Sequence, residues 1–159
     1  MTPPLTTATR TGLPGLVADL VEESEQVQAL ARVLDLPQQA PDPARLLSRN
    51  MLSALVHLTT VSASAAGVLD IAGPVTPLRL RALARLHSAQ SSLLSATGSM
   101  ATALEQLDAA DEAASDPCAL AQAARLRGAA LLTSASAHIG AAAGLLRSDR
   151  AAGPPPART

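Results

Sequence analysis

The sequence predicts an all-α fold, an antiparallel up-down-up-down four-helix bundle with short loops and loose termini. Three observations carry that expectation. Ala and Leu fill 62 of the 159 positions, while Phe, Tyr and Trp are absent. Ala and Leu are strong helix formers, and strands favour the aromatic and β-branched types that are scarce here. Proline follows a helix-capping residue at three regular intervals. Apolar residues recur at alternating steps of three and four, the period of a helix packed along one seam.

The proline pairs set the boundaries. Asp42-Pro43, Thr76-Pro77 and Asp116-Pro117 each place a good N-cap residue before a proline at the first helical position. Pro37 and Gly73-Pro74 stop the helices before them. Helices are therefore expected over 13–36, 43–70, 77–111 and 117–149, within one domain spanning 12–150. Residues 1–11 and 151–159 read as disordered tails.

In the first helix the seam runs Leu13, Leu16, Leu20, Glu23, Val27, Leu30, Leu34. The second is apolar around Leu47, Met51, Leu55, Leu58, Ala65 and Leu69. In the third the seam is Leu83, Leu86, Gln90, Leu93, Thr97, Met100, Leu104, Leu107. The fourth carries two seven-residue rows, Leu131-His138-Leu145 and Leu132-Ile139-Leu146, with Gly128, Ala135 and Ala142 between them. Short connections between helices of similar length favour antiparallel neighbours.

Residues 50–69, 86–104 and 128–146 are uncharged and about as long as a bilayer-crossing helix. Gly140 and Gly144 have the spacing at which membrane helices approach closely. Against insertion, 86–104 holds eight Ser, Thr and Gln residues, and no Trp or Tyr is present to sit at the lipid interface. The expectation is no membrane insertion. Gly140 and Gly144, with Leu131 and Leu145, then form a helix-packing face of a close-packed bundle.

All twelve basic residues are Arg, and Ala, Pro and Gly are abundant, the coding bias of a high-GC bacterium. A net charge of −1 gives no long-range attraction to nucleic acid, and none is expected as a partner. Arg79, Arg81, Arg85, Arg125 and Arg127 read as solvated. One cysteine, Cys118, allows no internal disulfide and reads as a small filler. The opening MTPPLTTATRTGLPG lacks the apolar stretch of a secretion signal, so the expected location is the cytoplasm.

Counting residues from the loops sets position 57 opposite 23, position 90 opposite 57, and position 138 opposite 89. At ~1.5 Å per residue, Glu23, His57, His87, Gln90 and His138 then fall within about one helical turn. Three imidazoles and a carboxylate at one level could hold zinc or another divalent metal, with Glu23, His57, His87 and His138 as ligands. The same residues could equally be a polar layer that fixes helix alignment, or boundary residues facing water. The Glu-x-x-His repeats of di-iron bundles are absent. No phosphate-binding glycine loop, HExxH or GxSxG is present either.

The leading expectation is a non-enzymatic bundle that acts by self-association or as an accessory subunit of a bacterial assembly, with no cofactor. The alternatives are a metal- or small-ligand-binding bundle using the Glu/His layer, and an enzyme or enzyme-associated subunit with a pocket between helices.

Overall fold

A computed structural model describes residues 12–109 and 116–153. It contains four helices and, among the described residues, no strand: α1 Leu13–Asp35, α2 Pro43–Leu69, α3 Pro77–Ala109 and α4 Pro117–Ala152. The protein is a helical bundle. The caps form as the sequence implies. Asp42 accepts from the Arg45 amide at 2.9 Å, and Asp116 from the amides of Cys118 and Ala119 at 3.0 and 3.3 Å. The Thr76 hydroxyl oxygen accepts from the Arg79 amide at 3.1 Å. Each bond satisfies a donor that the first helical turn would otherwise leave open.

The boundaries differ from expectation in small ways. α1 and α2 each end one residue early, and α4 runs three residues past the expected 149, through Ala152 and into the expected tail. It stops at Gly153, whose φ of 63° is a left-handed conformation that glycine adopts without steric cost. The expected end of α3 at 111 and the tails 1–11 and 154–159 lie outside the described residues.

Around the bundle, α1 neighbours α2, α2 neighbours α3, α3 neighbours α4, and α4 packs back on α1. Contacts run in opposite senses along each of three neighbouring pairs. Leu16 lies beside Gly67 and Glu23 bonds His57 between α1 and α2. Arg79 meets Asp149 and Arg85 meets His138 between α3 and α4. Ser24 meets Ser136, and the Val33 carbonyl meets Arg125, between α1 and α4. These are the pairs that antiparallel neighbours make.

The core is built of rows seven residues apart. Leu20, Val27 and Leu34 come from α1, Leu86, Leu93 and Met100 from α3, and Leu132, Ile139 and Leu146 from α4. Alanine rows fill between them: Ala82, Ala89, Ala96 and Ala103 on α3, with Ala135 and Ala142 on α4. With no aromatic ring to fill space, large Leu and Met side chains alternate with alanine, which brings the backbones close without voids.

α2 departs from expectation. Its buried row is Leu47, Ala54, Val61 and Val68. Of the face expected to be apolar inward, Leu47 is buried and Met51, Leu58 and Ala65 are half-buried, but Leu55 and Leu69 are exposed. Two adjacent rows of α2 are apolar, and only the one with the smaller side chains fits against its neighbours.

Candidate functional site

The expected polar layer resolves into two separate contacts. Between α1 and α2, His57 donates from Nδ1 to Glu23 Oε1 at 2.7 Å. Glu23 is 5% exposed, so its carboxylate is drawn into the core with a partner in place. Between α3 and α4, Arg85 Nη1 donates to His138 Nδ1 at 3.4 Å. His87 is exposed, and Gln90 donates to Ser62 at 3.0 Å. Of the four expected metal ligands, the structure brings together Glu23 and His57. Among the described residues no three His, Cys, Asp or Glu side chains come together as a metal-holding group. The cationic Arg85 beside His138 also opposes a second cation there.

The glycine face is redistributed as well. Gly140 does approach α1, since a Cβ there would stand 3.3 Å from Ser24 Oγ. Gly144 faces open space, with nothing within 4 Å of a built Cβ. The tightest approach on α4 is Gly128, where a Cβ would lie 3.0 Å from Leu34 Cδ2 and 3.8 Å from Met100 Cε. Leu131 and Leu145 are half-buried against the core. Ser24 and Ser136 reinforce the α1–α4 contact. Ser24 Oγ donates to the Ser136 carbonyl at 3.0 Å, and Ser136 Oγ donates to the Ser24 carbonyl at 2.8 Å.

Arg125, expected to be solvated, is 1% exposed. Its Nη2 donates to the Val33 carbonyl at 2.8 Å and its Nη1 to Gln122 Oε1 at 2.9 Å. Val33 lies in the last turn of α1, whose carbonyls have no partner within the helix. Arg125 therefore satisfies the end of α1 from α4 and places a cation at that helix's negative end. Burial lowers its pKa from the ordinary value. The sequence did carry the signal: stepping back from Ala135 through Leu132 and Gly128 along the α4 seam lands on Arg125.

At the other end, Arg79 and Asp149 form an ion pair at 2.8 Å, both side chains largely buried. Thr76 donates its hydroxyl to Asp149, and Arg79 also reaches the carbonyls of Ile71 and Ala72 at 3.4 and 3.3 Å. The Thr76 hydroxyl, then the Arg79 guanidinium, hold the Asp149 carboxyl below its ordinary range despite opposing burial. This pair forms one wall of a cleft of about 560 Å³ with Leu13, Pro74, Pro77 and Leu78. The two charges are spent on each other and on fastening the α2–α3 loop to the end of α4.

Among the described residues, α2 carries four of the ten exposed large hydrophobic side chains. Leu52, Val56 and Leu69 are each about 60% exposed, and Leu55 is also exposed. From Asn50 to Leu69 no charge interrupts them. The hydroxyls on this side turn inward to their own helix. Thr59 and Thr60 donate to the Val56 carbonyl at 2.7 and 3.1 Å, and Ser53 to the Arg49 carbonyl at 3.0 Å. A hydroxyl bonded in this way offers its methyl or methylene outward, which makes the face more apolar than its composition.

The chain matches no protein family, no characterised protein and no solved structure.

Proposed function

We propose that this chain is a non-enzymatic helical-bundle protein that acts by association, with itself or as an accessory subunit of a larger assembly, and that the outer face of α2 makes the contact. The exposed Leu52, Leu55, Val56 and Leu69 on an uncharged helix carry the reading. Scattered single leucines are normal on a protein surface, whereas a contiguous uncharged run along one helix marks a place where water is to be excluded. Among the described residues α2 is also, with α4, one of two helices long and apolar enough to cross a bilayer, so a lipid surface is the competing occupant.

Light scattering on the purified chain, together with affinity purification from its native cell, tests the proposal. Mass above the monomer, or a stoichiometric partner lost in Val56→Glu, supports it. A monomer at every concentration with no stoichiometric partner ends it. Retention of the chain in carbonate-washed membranes would transfer the face to lipid.

A further inference from the structure

Resting on the association reading, the structure assigns the partner of α2 to a second copy of this chain, bound α2 against α2 in antiparallel fashion about a two-fold axis near Thr59. Three observations meet here. Arg49, Leu52, Val56, Thr59, Ala63, Ala66 and Asp70 follow steps of three and four without a break, and every one is exposed. That is a complete helix-pairing seam on the side away from the bundle's own core. It runs roughly 30 Å along the helix.

Four of the seven seam positions are symmetric about its middle. Arg49 and Asp70 lie equally far from a point between Thr59 and Thr60, as do Val56 and Ala63. In an antiparallel pair, Arg49 of one copy faces Asp70 of the other, and Val56 faces Ala63. Leu52 falls next to Ala66. Each large side chain thus meets a small one, the condition for close packing without overlap. A two-fold axis makes every such contact twice.

The charges, moreover, suit a partner. A helix favours acidic groups at its start and basic groups at its end. Asp42, the N-cap of α2, meets the first condition, but no base lies in the last turn. The helix carries Arg45 and Arg49 near its start, and Asp70 is its C-cap. An antiparallel copy sets each acidic C-terminal end against a basic start. The same two charges disfavour a parallel pair, in which Arg49 would face Arg49 and Asp70 would face Asp70.

Light scattering over a dilution series, combined with disulfide trapping, tests this in the full chain. The expected mass rises from monomer to dimer with concentration. Arg49→Asp and Asp70→Arg each weaken the dimer about tenfold, because each change acts at two symmetric pairs, and the double variant restores it. In a Cys118→Ser background, Thr59→Cys at the axis is expected to crosslink to itself on mild oxidation, and Ala29→Cys on the exposed side of α1 is not. Circular dichroism on each variant checks that the fold is intact. A dimer that ignores both charge reversals and does not trap through position 59 overturns the α2 pairing but leaves association through another face. A chain that stays monomeric alone, and is recovered with an unrelated protein or with lipid vesicles, also overturns it.

Discussion

α2 and α4 are both uncharged through their middles, and both are long and apolar enough to cross a bilayer, yet the bundle uses them differently. In the most apolar part of α4, 44% of the residues are buried, against 22% for α2. α4 packs on both α1 and α3, and its inner row holds Leu132, Ile139 and Leu146. α2 has most of its contact on α3, buries Leu47, Ala54, Val61 and Val68, and leaves Leu52 and Val56 outside. Hydropathy alone does not tell these fates apart. What separates them is which row carries the bulk. In α4 every leucine and isoleucine except Leu126 is buried or half-buried, whereas in α2 Leu52, Leu55, Val56 and Leu69 lie outside.

The sharpest way to break this comparison is to remove a leucine from each helix. Leu132→Ala in the filled core is expected to cost about 3 kcal/mol in chemical denaturation, the usual sum of lost burial and an unfilled cavity. Leu52→Ala, measured at concentrations where the chain is monomeric, is expected to cost under about 0.5 kcal/mol. Equal losses would mean that the outer row of α2 is part of the monomer's core, and the association reading would lose its support.

A smaller effect tests how α4 is fastened at its end. Asp149 is held ionised by Thr76 and Arg79, so its folded pKa lies below its unfolded one. The resulting stabilisation is fully present above the ordinary carboxylate pKa. It is lost as pH falls through that value towards the lowered one. Asp149→Asn is therefore expected to lower stability at neutral pH by about 1 kcal/mol, less than the ~1.5–3 kcal/mol of well-shielded bonds to charged groups because the pair lines a cleft open to water. The gap between variant and parent should close as the solution is acidified below the carboxylate range.

Much of this architecture was legible beforehand. Pro43, Pro77 and Pro117 each marked a helix start because a proline ring removes a donor that only a first turn can spare. The seams of α1 and α3 followed directly from leucine spacing. Loop counting put Glu23 opposite His57, and their bond forms. It missed the separation of His138 from that pair, because counting fixes height along the bundle and says nothing about which seam a side chain enters. It missed Arg125 because a charged residue is assigned to water by default, and only the open carbonyls at the end of α1 make its burial favourable. It misjudged α2 because two adjacent rows are both apolar, and choosing between them needs the shapes of the neighbouring helices.

The smallest effect separates two glycines on α4 that the sequence alone treats alike. A glycine inside a helix costs roughly 0.5–1 kcal/mol relative to alanine, because it leaves more backbone freedom to be lost on folding. At Gly144 a Cβ meets nothing within 4 Å, so Gly144→Ala should return that stability in full. At Gly128 the new methyl would stand 3.0 Å from Leu34 Cδ2, the end of a completely buried side chain, and 3.8 Å from Met100 Cε. Gly128→Ala is expected to cancel the propensity gain and lower the melting temperature, since overpacking a tight core displaces whatever surrounds it. The opposite signs would show that α4 has one face for packing and one for solvent or a partner. A loss at Gly144 measured in the monomer would show that the outer face of α4 is occupied after all, and the contrast with α2 would then have to be redrawn.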